Sequence, residues 1–242
     1  MSKQIIDMDF SGVYKRRERQ AEKTVELADL PGTNAYCSDE ARDAIREKLA
    51  GLPAEGIHFL DSGNYHYASL FWLKKIQRPY QLIVFDHHSD MQPSAWGDEL
   101  LSCGSWIRTA LLQDENLKAV WIAGTHEEAY MEEMREKIRL LTEAELSDPG
   151  SAFTGLDTSL PVYLSIDKDI LSEEEVDTNW DQGSLRTEVL LECLQYLIKN
   201  YSLIGIDICG EPDPHAPDAE IKKSEKIDRK ICLILDENGW AN

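Results

Sequence analysis

The chain has 242 residues, 42% of them hydrophobic and 29% charged, which is enough apolar material for one large α/β domain and too much for a disordered chain. Its 45 acidic residues against 25 basic ones leave a net charge of −20, which argues against nucleic acid and anionic membrane as partners and serves either general solubility or the attraction of a cationic small molecule. Five scattered cysteines without a Cys-x-x-Cys pair argue against a disulfide framework and for a reducing compartment.

The first ten residues hold no signal-peptide core and no run is long enough to span a bilayer, so a cytoplasmic location is expected. In chain order, Ala41, Ile45 and Leu49 recur every four residues and stop at Gly51, predicting a helix with a glycine C-cap. Residues 57–60, 81–85, 119–122, 162–166 and 203–207 are short apolar runs that read as buried strands. Residues 126–141, charge-rich with Met131, Met134, Ile138 and Leu141 on one side, predict a surface helix. Residues 148–151 and 211–214 read as loops. Leu185, Val189, Cys193, Leu194, Leu197 and Ile198 form the apolar stripe of another helix, and Ile227, Ile231, Ile234 and Leu235 suit a last one, although 231–235 also suits a strand.

Continuous hydrophobicity without alternation marks strands covered on both faces, hence a parallel sheet. Its alternation with helices predicts a three-layer α/β/α sandwich with a mainly parallel central sheet. No linker or internal repeat interrupts residues 1–242, which are expected to form one domain.

Chemistry concentrates where strands end. Gly63-Asn64-Tyr65-His66, Asp86-His87-His88-Ser89-Asp90, Asp167-Lys168-Asp169 and the segment 207–211 each follow an apolar run. In open parallel sheets the ligand crevice lies outside the carboxyl ends of the strands, so these segments should share one rim. Extended backbone sends alternate residues to the same side, so Asp86, His88 and Asp90 can face one site, and Asp167 and Asp169 repeat the pattern. Crowded carboxylates are costly unless cations neutralise them. Four carboxylates and two imidazoles make a ligand set for two divalent ions, and without thiolate they favour a hard or borderline metal such as manganese.

Asp86-His87-His88-Ser89-Asp90 resembles the Asp-Ala-His-x-Asp motif of the arginase–agmatinase–formiminoglutamase (ureohydrolase) family. Ser165-Ile166-Asp167-Lys168-Asp169 is similar to its Ser-x-Asp-x-Asp motif, and Gly63-Asn64-Tyr65-His66 stands where the family has Gly-Gly-Asp-His. The resemblance implies the arginase/deacetylase-like fold and two Mn²⁺, with His66 and Asp90 on one ion, His88 and Asp169 on the other, and Asp86 and Asp167 shared. It also implies a hydroxide between the ions that attacks the carbon of a linear amidine or guanidino compound. Oligomers are common in the family, so a homo-oligomer is compatible with the resemblance.

Three departures touch the substrate side. Tyr65 replaces an acid before His66, and Cys103 takes the place of a histidine thought to transfer protons. A cysteine does that only with a lowered pKa and is more often a small buried residue. Gly210 falls where the family has a guanidinium-binding glutamate, so Glu211 either takes that role in a shifted loop or is a surface acid. Trp180, Asp181 and Gln182 are candidates to line the pocket, with core packing the alternative for Trp180. His87 is a supporting or merely packed residue, and His58, His126 and His215 are read as non-ligands.

A binuclear C–N hydrolase, with Asp90, Cys103 and Glu211 as candidate catalytic residues, is the leading reading. The first alternative is a metal-binding member of the family that releases no urea and acts through a partner. A single-zinc deacetylase-like amidohydrolase is disfavoured, because one zinc needs about four ligands and six are present.

Overall fold

The computed structural model describes residues 3–18, 21–93, 100–125 and 132–240. Eight strands form one sheet, in the order β2 (Lys23–Glu26), β1 (Gln4–Asp9), β4 (Gly56–Phe59), β10 (Leu203–Cys209), β9 (Val162–Asp167), β5 (Tyr80–Phe85), β7 (Leu117–Ala123) and β8 (Ile138–Leu141). Every pairing in it is parallel. Two-residue strands β3 (Tyr36–Cys37) and β6 (Leu101–Ser102) make a separate antiparallel ladder.

Alternate residues of each strand serve opposite layers. Leu82, Val84, Val120 and Ile122 pack with α1 (Asp39–Leu49), α2 (Ser69–Leu73) and α3 (Trp106–Gln113). Ile83, Phe85, Trp121 and Ala123 pack with α4 (Pro149–Ala152), α5 (Thr187–Asn200) and α6 (Asp218–Glu237). The result is a parallel sheet flanked by helices on both faces, and its five central strands are the five apolar runs.

Helix α1 buries Ala41, Ile45 and Leu49, as their spacing predicts, and starts at Ser38, whose side chain accepts a hydrogen bond from the Ala41 amide. Residues 231–235 belong to α6 rather than to a strand, with Ile227, Ile231 and Leu235 turned into the core. No helix among the described residues is long and apolar enough to cross a membrane.

Two local readings are corrected. Residues 132–137 make a 3₁₀ turn and 138–141 a strand instead of the end of a surface helix; residues 126–131, including His126 and Met131, lie outside the described residues. Ile138 and Leu141 satisfy helical spacing, but parallel pairing of 138–141 with Val120–Ala123 wins, because it completes backbone hydrogen bonds at the sheet edge. The expected loop at 148–151 contains the start of α4: Asp148 caps the Ser151 amide and Pro149 opens the helix, where its missing N–H costs nothing.

Candidate metal centre

Strands β4, β10, β9 and β5 are neighbours at the middle of the sheet, and their carboxyl ends define one rim. A 3₁₀ turn after β4 carries His66, Asp86 follows β5 directly, Asp167 closes β9 and Asp169 sits in the next turn. His66, Asp86, His88, Asp90, Asp167 and Asp169 all line one cleft of about 140 Å³.

The buried His66 ring points Nδ1 at three carboxylates: 3.1 Å from Asp86 Oδ2, 3.0 Å from Asp90 Oδ2 and 3.5 Å from Asp167 Oδ2. His88 Nδ1 lies 2.9 Å from Asp169 Oδ2 and 3.6 Å from Asp86 Oδ1. Two potential donor sets follow, His66–Asp86–Asp90 and Asp86–His88–Asp169, sharing Asp86. A third trio joins His66 and Asp167 to Cys209.

Supporting contacts fix these groups in place. The Ser165 hydroxyl donates to Asp207 Oδ1 at 2.5 Å, so toward His66 Nε2, 2.9 Å away, it acts as acceptor. That places the ring N–H on Nε2 and leaves Nδ1 as the position a cation or a proton takes. The Trp106 indole donates to Asp90 Oδ2 at 2.6 Å, and Asp90 itself adopts a positive φ of 49°. Backbone amides of His88, Asp169 and His87 bond Asp86, Asp167 and Asp169 respectively. His87 therefore contributes its backbone to the cluster.

Electrostatics match a cation trap held by protons. Burial and the neighbouring Asp86 charge push Asp90 up to about 7. Burial, followed by the charges of Asp167 and Asp86, raises Asp169 well above the usual range. Hydrogen bonds to Asp169 and Asp86 raise His88 to about 11. Burial opposes charge on His66, but Cys209, Asp86 and Asp90 lift it well above an ordinary histidine. Asp86 goes the other way: burial would raise it, yet the adjoining His66 and His88 rings hold it at about 2. Its Oδ2, fully buried, accepts no hydrogen bond. Oxygen and imidazole donors, a shared carboxylate and this unsatisfied oxygen fit a pair of divalent cations.

The cleft walls carry Cys103, Gln92 and Trp180. Burial pushes the Cys103 thiol up to about 12, the wrong direction for a proton shuttle at neutral pH. Trp180 is 41% exposed, so it lies at the mouth instead of in the core; its indole N–H donates to Asn64 Oδ1 and its ring meets His88 edge-on. Asp181 is exposed and off the cleft. Gln182 is also off the cleft and braces its own loop, donating to the Leu171 and Val176 carbonyls and accepting from the Thr178 amide.

Glu211 is neither in the cleft nor at the surface. It is completely buried, 2.7 Å from Lys168 Nζ, hydrogen-bonded to Ser224 and in a close ion pair with Arg17. Lys168 stands between two ligand candidates but points away from them, reaching Glu211, Ser224 and Asp228. Arg17 closes the network on Asp228 at 2.5 Å. His58 is packed face to face on Trp72, its pKa driven down to about 3, first by burial. His215 lies in an exposed loop.

The sequence profile of the Arginase family matches residues 11–220. An uncharacterized protein of Thermotoga maritima is 35% identical over 229 residues, covering 94% of this chain and 88% of that one. Among solved structures, proclavaminate amidino hydrolase from Streptomyces clavuligerus superposes with a TM-score of 0.73 at 15% identity, over 100% of this chain and 92% of its own. Formimidoylglutamase from Bacillus subtilis also gives 0.73, at 13% identity, over 97% and 87%. At these identities the two structures speak for the fold.

Proposed function

The chain belongs to the arginase family, and from that premise we propose that it is a binuclear metal-dependent hydrolase of C–N bonds in linear amidines or guanidino compounds. The observation that carries this is the pair of donor sets, His66–Asp86–Asp90 and Asp86–His88–Asp169, joined through Asp86 inside one cleft. Manganese is the ion expected from the carboxylate and imidazole donors. Divalent cations held there would lower the pKa of water and stabilise negative charge developing on the substrate.

The chain's own residues would do the rest. Ser165 keeps the His66 ring in one tautomer, and Trp106 orients the Asp90 carboxylate. Trp180 offers a flat apolar wall to a planar amidine, and a cationic one gains further from the ring face. Asp90, which lines the cleft 3.0 Å from His66 Nδ1, is the candidate for accepting a proton from the attacking water.

The test is metal per chain after reconstitution, followed by a screen of amidines for ammonia or urea release. Near two equivalents and turnover are expected. Asp86→Asn and Asp167→Asn should lose metal and activity together, and full activity in either would sink the assignment.

A second reading rests on the cleft walls. Among the described residues lining it, every carboxylate belongs to the candidate ligand set, and the Cys103 thiol is not acidic. A metal-binding protein without urea release would look the same. Turnover of any amidine above background by the metal-loaded chain excludes it.

A further inference from the structure

In the parallel pairing of β10 with β9, Cys209 is the register partner of Asp167. Register partners on neighbouring strands carry their side chains on the same face. The buried Cys209 Sγ lies 3.1 Å from Asp167 Oδ2. The sulfur, a His66 ring nitrogen and an Asp167 oxygen all fall within 4.8 Å of one another. With metal–ligand bonds of about 2.0–2.3 Å, tetrahedral donors around one ion sit roughly 3.3–3.8 Å apart, so little movement is needed to close the set.

A second observation points to a cation in the same volume. The buried Asp86 Oδ2 accepts no hydrogen bond and faces His66 Nδ1 at 3.1 Å, and that nitrogen is also 3.0 Å from Asp90 Oδ2. The Asp86 and Asp90 oxygens on one side and the Asp167 oxygen and Cys209 thiol on the other thus adjoin the same His66 ring.

We propose that Cys209 is a sulfur donor to the cation held by His66, Asp90 and Asp167, and that this half of the pair prefers zinc, iron(II) or cobalt(II) to manganese. The inference rests on the binuclear reading above and refines it. Sulfur selects softer ions than oxygen does. The Asp86–His88–Asp169 set contains no sulfur, and Cys103, the thiol on the cleft wall, belongs to none of the donor sets. The two halves of the site thus differ in softness. On coordination the thiol proton passes to solvent.

The test uses the full chain loaded with Co²⁺, with cobalt content measured beside near-ultraviolet absorption. A sulfur-to-cobalt charge-transfer band is expected, lost in Cys209→Ser and retained in Cys103→Ser. In competition, Cys209→Ser should move the cobalt-over-manganese preference by about tenfold or more toward manganese. X-ray absorption at the zinc edge of the unmutated chain, expected to show one sulfur at about 2.3 Å, makes the test independent of how the variant folds. Two bound cobalt ions without the band, or zinc without a sulfur neighbour, would overturn the proposal and leave Cys209 a hydrogen-bond donor to Asp167. No bound metal at all would instead remove the binuclear reading, and this inference with it.

Discussion

Ser165 shows how a residue outside the ligand set governs one inside it. Its hydroxyl has one proton, given to Asp207, so it meets His66 as an acceptor and fixes which imidazole nitrogen is available. Ser165→Ala should weaken metal binding by about 10- to 100-fold while leaving the fold intact, the usual cost of losing such a support. Calorimetric titration with Mn²⁺ measures it, and an unchanged affinity would remove Ser165 from the account. Five of the six potential ligands were legible because they sit in short local patterns, Asp-x-His-x-Asp and Asp-x-Asp, that alternate along extended backbone, and His66 was found through the resemblance of residues 63–66 to a family motif. Cys209 was not, since its place beside Asp167 depends on the register between strands 42 residues apart. The trio of His66, Asp167 and Cys209 therefore left no local mark in the sequence. Trp106 was hidden similarly: nothing in residues 100–113 announces that an indole N–H will reach Asp90.

At the scale of elements, the motif Asp167-Lys168-Asp169 works in two directions. The acids face the rim, while the lysine joins β9 to the segment after β10, to α6 and, through Glu211 and Asp228, to Arg17, which follows a 3₁₀ turn at Val13–Arg16. Removing one partner of a buried ion pair leaves the other uncompensated, at a cost of about 3–5 kcal/mol. Glu211→Gln should destabilise the chain on that scale, read by urea unfolding at neutral pH. Burial would raise the Glu211 pKa, but the charges of Arg17 and Lys168 prevail and hold it at about 2, below its unfolded value near 4.3. Its contribution is therefore complete above about 4.3 and lost as pH falls toward 2, so unmutated and variant stabilities should converge in acid. The five central strands could be read directly, because burial on both faces writes itself as a continuous apolar run. The three outer strands could not. Lys23–Glu26 contains one buried apolar residue, Gln4–Asp9 mixes apolar residues with two acids, and Ile138–Leu141 shares its spacing with a helix.

For the molecule as a whole, the cluster couples metal to stability. Without a cation, burial and Asp86 hold Asp90 at about 7, above an unfolded value near 3.9. A group raised in this way favours the folded chain fully below its unfolded pKa, and that contribution is lost as pH rises through the folded one. A chelated sample should thus melt at a lower temperature near pH 8 than near pH 6, whereas a loaded one loses less. At a hundredfold excess over Kd a cation adds about 2.7 kcal/mol, roughly 5–10 °C for a chain of this size. Scanning calorimetry with and without chelator at both pH values checks the sign, and a gap that narrows with pH would contradict it. The alternation of apolar runs with helical stripes foresaw the α/β architecture, but the Arg17–Glu211–Lys168–Asp228 network joins residues up to 211 positions apart and leaves no local trace. Gly210 bears on how this chemistry can change over time. It holds a φ of +84°, and a Cβ there would stand 2.6 Å from Asp167 Oδ1 and 2.7 Å from the Lys168 amide. A carboxylate cannot be installed at 210 by a single codon change without displacing the neighbouring strand end, so a descendant or a designer must first open the 167–168 backbone. The glycine acts as a ratchet on the lineage, closing the shortest mutational road to a substrate anchor at that position.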